Sequence, residues 1–339
     1  MCDPQWESHR QTLANCAIGF GKNAIGGKNG RIYVVTSNSD DNVENPVPGT
    51  LRYAASRNEP LWIIFANSMT IHLNQELFVT SYKTIDGRGA TVIITGGASL
   101  SMVSVNNVII HGLYIHNIVS TGPASIITSQ SLVEQHGVAD GDAIHIQTSN
   151  NIWVDHCFLA KAADGLIDCT DYSNLITISN NYFTAHDKVM LFGSHPNQVG
   201  DRNMHITVAF NKFGPGLVQR MPRVRFGYVQ VLNNDYTSGW GIYAIGGSED
   251  PTILSQGNVF NPANGNKEVT KRVNDGGGTY GGWQSWNWNS AGDVFLNGAY
   301  FVNSGAQEQT ASVYAQAISV APLSGQRTPA ITFAAGPLN

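Results

Sequence analysis

ITISNNYF (176–183), ITVAFNKF (206–213), VQVLNNDY (229–236) and ILSQGNVF (253–260) are four versions of one phrase. Each opens on an aliphatic residue, places asparagine sixth (Asn181, Asn211, Asn234, Asn258) and closes on an aromatic ring. Weaker copies open at Val108 and Ile152, with Leu113 and Cys157 in the asparagine place. The six starts are spaced by 44, 24, 30, 23 and 24 residues. We read a period near 23, the 44 as two periods and the 30 as one period plus an inserted loop. A second set of short apolar runs follows at 143–146, 166–168, 189–191, 219–221 and 243–245, again near the 23-residue spacing. Two or three short strands per repeat suit a solenoid, in which a coil cannot bury its inner face alone but stacked coils share one core. The asparagines then form a ladder at one corner. A sandwich or barrel would need hairpin signals such as Asn-Gly, which are sparse over 100–260. The expected fold is therefore all-β, a right-handed parallel β-helix.

Around this frame, residues 1–20 read as an N-terminal cap helix, 21–260 as coils, and 261–339 as terminal coils and a tail packed on the helix, all in one domain. Further strands are expected at 31–36, 61–65 and 91–95. The tryptophans at 283, 286 and 288 read as core more readily than as a sugar platform. A charged fraction of 13% and 36 glycines agree with β structure and tight corners. A net charge of −5 argues against a nucleic-acid partner. No run of about 18 apolar residues is present, so no membrane helix is expected. Four cysteines make no disulfide scaffold and fit no metal spacing. Cys2 and Cys16 can pair across a short amphipathic stretch, while Cys157 and Cys169 read as buried free thiols. No glycosylation sequon occurs.

Stacking turns spacing into proximity, because neighbouring strands lie about 4.8 Å apart. On the second strand set, one coil offers Asp140 and Asp142, the next Asp164 and Asp168, the next Lys188, and the next Arg220 with Arg225 beyond. Four carboxylates so close repel one another, and a bound hard cation with oxygen ligands removes that cost; Ca²⁺ suits the set better than Zn²⁺. The basic cluster suits an anionic polymer lying along the groove, with arginine shaped for bidentate carboxylate contact. Taken alone, Asp-Gly pairs are turn residues and RMPRVR (220–225) is a solvated strand edge. Their adjacency favours a site.

These residues carry a family resemblance. The segments 16–36 (CAIGFGKNAIGGKNGRIYVVT), 83–90 (KTIDGRGA), 139–146 (ADGDAIHI), 152–157 (IWVDHC), 163–168 (ADGLID) and 219–227 (QRMPRVRFG) resemble the plant pectate lyases of polysaccharide lyase family 1 and their pollen-allergen relatives. The resemblance runs over about residues 5–302. It implies a pectin-lyase-like β-helix, secretion to the cell wall, a monomer, and Ca²⁺-dependent β-elimination on polygalacturonate. It assigns Asp140, Asp142, Asp164 and Asp168 to calcium, Lys188 and Arg225 to substrate, and Arg220 to proton abstraction. Many plant members carry an acidic residue where Lys188 stands, and commonly a cysteine where Val224 stands, which leaves Cys169 without its obvious partner. A guanidinium gives up its proton only above about pH 12, so alkaline activity is expected.

Of the histidines, His111, His116 and His156 read as structural, and His186, two residues before Lys188, is a candidate groove residue. No side chain stands out as general acid, and water can serve. Three other readings remain: a β-helix hydrolase, which needs paired carboxylates flanking a water; a pectin lyase, which would lack the aspartate set; and a catalytically weak pollen-allergen relative.

Overall fold

The computed structural model describes residues 5–263, 265–273, 282–306 and 321–338. Three parallel sheets run along a stack of coils, as the repeat requires. Among the described residues, the first sheet has ten strands, from Arg31–Val35 to Trp288–Ala291. The second has nine, from Met69–Leu73 to Val294–Phe295, and the third has eight, from Leu77–Phe78 to Thr270–Arg272. Side chains pointing inward form rows across the coils. Leu100, Ile144, Ile167 and Met190 align in the third sheet, and all four are fully buried.

The corner between the first and second sheets explains the repeated phrase. The residue before each corner position has a left-handed backbone: His156, Asn180, Phe210, Asn233 and Gly257 all have φ between 47° and 62°. The asparagine that follows is buried and bonded in both directions along the stack. The Asn211 amide donates to Ile178 O and to Asn234 Oδ1, both at 2.9 Å, while its own Oδ1 accepts from Asn181 N at 2.9 Å and Asn181 Nδ2 at 3.1 Å. Asn234 repeats this toward Asn258, and Asn258 toward Asp293. At the other end Asn181 Oδ1 accepts from Cys157 N at 2.8 Å, so the ladder ends where the sequence repeat weakens. Beside it the rings of Phe183, Phe213, Tyr236 and Phe260 stack, with centroids 4.4–5.4 Å apart.

Two spacings differ from their sequence reading. Val108 pairs directly with Ile152, so the 44-residue step is one coil, not two. The surplus chain leaves between the second and third sheets as an antiparallel hairpin, Ala124–Ser129 with Leu132–His136. Spacing alone cannot separate a double period from a single period with an insertion. The strand expected at 219–221 is also broken. Lys188 aligns with Gln219 but Leu191 with Arg223, so one extra residue is taken up between them, where Arg220 is left-handed (φ 64°) and the Met221–Pro222 peptide is cis.

The N-terminal helix forms as 3₁₀ turns over Trp6–Cys16. With the chain that follows, it lies along the outer face of the first sheet, where Leu13, Ala14 and Ala17 share an apolar cluster with Trp62, Ile109 and Trp153. Threonines on that face bond the crossing chain: Phe20 N donates to Thr207 Oγ1 and Gly21 N to Thr177 Oγ1. The approach is so close that a Cβ at Gly27 would stand 1.9 Å from Leu61 O. The end of the core is closed instead by the helix Leu51–Ala55, whose Leu51, Ala54 and Ala55 pack with Tyr33 and Val35. Trp286 and Trp288 belong to the core at the opposite end, while Trp283 is exposed and carries the Arg272 guanidinium. The tail returns along the ladder corner, with Leu323 N donating to Asn233 Oδ1 and Gly336 N to Asn180 O.

Cys157 and Cys169 are buried free thiols; the Cys2–Cys16 pairing involves Cys2, which lies outside the described residues. Cys169 and Val224 share an inward row with Phe192 between them. A cysteine at 224 would stand about 10 Å from Cys169, beyond the reach of a disulfide.

Replacing Asn211 with alanine removes two donated bonds and the two that its Oδ1 accepts from Asn181, leaving the Asn181 side-chain amide only its bond to Val154 O. The unfolding free energy should fall by about 3 kcal/mol. Urea denaturation measures this, and a loss below about 0.5 kcal/mol would show that the ladder is incidental.

Candidate functional site

Outward-facing residues of the third sheet line up as the inward ones do. Ser101, His145, Asp168, Leu191 and Arg223 form one row across five coils. Asp140, Asp142 and Asp164 lie in the turns that lead into the strands Ile144–Gln147 and Ile167–Thr170. One carboxylate oxygen from each of these three lies within 4.8 Å of the others. Asp142 is buried and accepts from Gly165 N at 2.7 Å and from the His145 ring at 3.3 Å. Asp168 is buried beside it and accepts from Leu191 N at 3.2 Å. Gly165 is the residue that lets these two meet. A Cβ there would fall 2.3 Å from Asp168 Oδ1 and 2.9 Å from Asp142 Oδ1.

The cluster resists its own charge. Burial, then the neighbouring Asp142, pushes the Asp168 carboxyl well above the ordinary range, with Arg220 pulling the other way. Burial, then Asp142 and Asp164, likewise raises Asp140. His145 is raised despite its burial, because Asp142 bonds its ring and Glu76 and Asp140 add negative charge. An all-oxygen donor set, crowded and short of positive charge, fits a hard cation. Asp140, Asp142, Asp164 and Asp168 are the residues that would hold it.

The cations stand on the next coils. Lys188 Nζ donates to Asp164 Oδ1 at 2.6 Å. Arg220 follows Gln219, the register partner of Lys188, and its Nε is buried without a hydrogen-bond partner among the described residues. Arg225 donates to Gly193 O at 2.6 Å and lies near Asp201. Arg223 and Arg225 flank Val224, which points into the core, so the alternation expected for the strand holds past the proline.

Sequence reading passed over His145. The signal was present, because His145 precedes Asp168 by the 23 residues that separate Ile144 from Ile167. His186 has both ring nitrogens occupied: Nε2 bonds Asp164 O at 2.6 Å, and Nδ1 accepts from Ala162 N at 3.4 Å. It therefore braces the turn that carries Asp164. His111 and His156 lie on another face, where both ring Nδ1 atoms bond Asp155 Oδ2, at 2.9 and 2.7 Å. Ser179 and Asn180 complete that network.

A sequence model of the pectate lyase family matches residues 21–328. The chain belongs to the pectate lyase family. It is 52% identical over 339 residues to a pectate lyase from Zinnia elegans, covering 99% of this chain and 83% of that one. It is 53% identical to probable pectate lyase 5 of Arabidopsis thaliana, over 95% of this chain and 79% of that protein. In structure it is similar to jun a 1, the major allergen from cedar pollen, with a TM-score of 0.94, 47% identity and coverage of 98% and 96%. A thermostable pectate lyase shares the fold at 20% identity and a TM-score of 0.65, over 95% and 97% of the two chains. Among the described residues, no helix of this family member is long and apolar enough to cross a membrane.

Two outcomes follow from the electrostatics. Asp168→Asn removes a buried like charge, so in chelator the melting temperature should rise, by about 2 °C; an unchanged or lower value would mean that the carboxylate is not under repulsion. Asp155 behaves in the opposite sense, for although burial acts to raise it, His156 and His111 hold its carboxyl far below the usual range. Its contribution is therefore present above its unfolded value near pH 4 and lost as pH falls. Asp155→Asn should cost about 3 kcal/mol at neutral pH. Thermal melts of both proteins should converge as pH drops below about 4.

Proposed function

We propose that this pectate lyase family member cleaves de-esterified homogalacturonan by calcium-dependent β-elimination, leaving 4,5-unsaturated oligogalacturonates. The observation that carries the reading is the charge sequence along one sheet face: carboxylates from two adjacent coils, then Lys188, then Arg220. Bound Ca²⁺ would supply positive charge to the uronate carboxylate as the C5 proton departs. Lys188 and Arg225 hold and orient uronate carboxylates on the far side, where charge-assisted bonds strengthen as negative charge develops. Arg220 in its neutral form takes the C5 proton; its place beside the carboxylates, near enough for its charge to act on Asp168, supports this assignment. The C4 glycosidic oxygen then leaves and is protonated by water, since the ring nitrogens of His186 are committed to the backbone. The polymer is a wall component, so the proposed place of action is extracellular.

The likeness to the cedar-pollen allergen favours a second reading, a relative with weak turnover that shares antibody epitopes with that protein. Incubation with polygalacturonate, with Ca²⁺ and then with chelator, separates the two by the ultraviolet absorbance of the unsaturated product. Absorbance that rises with Ca²⁺ and stops with chelator is expected. Reducing ends without absorbance would mean hydrolysis, and no turnover would favour the second reading. Arg220→Lys should lower kcat at least about 100-fold while the calcium-induced rise in melting temperature persists. Retained activity in that variant would remove Arg220 from the chemistry.

A further inference from the structure

The groove on the third sheet has unequal ends. From Arg223 past Asp168 and His145 its floor runs on toward Ser101 and then Phe78, the same outward row two coils further. There it meets the hairpin formed by the 44-residue coil. The His136 ring packs on the Phe78 ring with centroids 4.5 Å apart. Thr121 and Ala139 exchange two backbone bonds of 3.1 Å and pin the base of the excursion. Ile127 N bonds Val43 O at 2.9 Å, and Gln130 accepts from Asn58 N at 3.3 Å, which pins the outer part. Ile126 and Ile127 are buried. The hairpin is thus held at its base, middle and tip, and forms a fixed wall.

Between this wall and the acidic cluster lies a polar hollow lined by Glu76, Ser99, His136, Asp140 and His145. Behind it is a second hollow, which His136 also lines. The Nε2 of His136 is buried with no hydrogen-bond partner among the described residues. Among the described residues no lysine or arginine lines either hollow, so the charged clamp of the opposite end is not repeated here.

We infer that this hairpin is an end stop for the bound polysaccharide. Beyond the acidic cluster the floor extends two coil spacings, about 10 Å, so about two sugar units fit before the wall. His136 offers its ring nitrogen to a hydroxyl of the last unit. A longer chain gains no further contact on that side and turns out into solvent. The inference rests on the groove being the homogalacturonan site.

The test uses a ladder of oligogalacturonates, with kcat/KM and the bond cleaved in end-labelled substrate as readouts. It compares the wild-type protein, His136→Ala, and a variant whose residues 125–135 are replaced by a short glycine-serine link. In the wild type, kcat/KM should stop rising once the acidic side is filled. His136→Ala should lower kcat/KM about tenfold more for oligomers that reach the wall than for shorter ones, the equivalent of one lost hydrogen bond. The shortened hairpin should move the plateau to longer oligomers and shift the bond cleaved; should it not fold, as judged by circular dichroism, the point variant carries the test. Unsaturated product from every folded variant with one unchanged length dependence and cleavage pattern overturns the end stop and leaves the lyase reading standing. No unsaturated product from the wild type overturns the lyase reading, and the end stop with it.

Discussion

The corner between the first and second sheets is the constraint on which the rest of the molecule depends. A left-handed residue bends the chain there, at a cost of about 1 kcal/mol when it is not glycine. The buried asparagine that follows offsets this by satisfying amide and carbonyl groups that the bend strips from the strands. Because each asparagine bonds the coil on either side, the corner also locks coil to coil. A slip of one residue would break the ladder from Asn181 to Asp293 and turn Ile144, Ile167 and Met190 out of the core. Register is therefore strongly specified.

That register is what assembles the candidate site. Asp142 and Asp168 do not come together through local sequence; they meet because successive coils are stacked with little freedom and because Gly165 leaves space for both carboxylates. The rigid frame tolerates a repulsive cluster that a looser protein would relieve by moving apart. The carboxyls of Asp168 and Asp140 are left at raised affinity for protons, at Asp168 partly offset by Arg220. A site that strains against its own charge is poised to take a cation, and the same frame holds Lys188 at hydrogen-bond distance from Asp164.

Insertions into the stack shape access without disturbing the frame. The hairpin 124–136 leaves one coil and returns to it, while Val108 and Ile152 still pair. The segment after Trp6–Cys16 lies across the opposite flank, on the hydroxyls of Thr177 and Thr207. One stands at the end of the outward row of the third sheet and the other covers an apolar sheet face, so each does its work where the coils present an outward surface.

The β-helix, its period, the asparagine ladder and the membership of the acidic and basic stripe were legible in the sequence. They follow from repetition, and repetition with one buried face has few physical solutions. His145 was equally legible, one period before Asp168, but a histidine among carboxylates does not attract attention until its ring is seen bonded to Asp142. Other features were not legible. Spacing could not decide whether 44 residues made one coil or two, nor that the chain breaks its strand at Arg220, nor that His186 serves the backbone of Asp164. These depend on where an excursion folds back and which groups it finds there. Sequence by itself determined the repeating frame, because hydrophobic period and corner chemistry are local properties. Only the tertiary structure decided where the hairpin folds back and which carboxylates crowd one another, because those contacts join residues that nothing but the stack brings together.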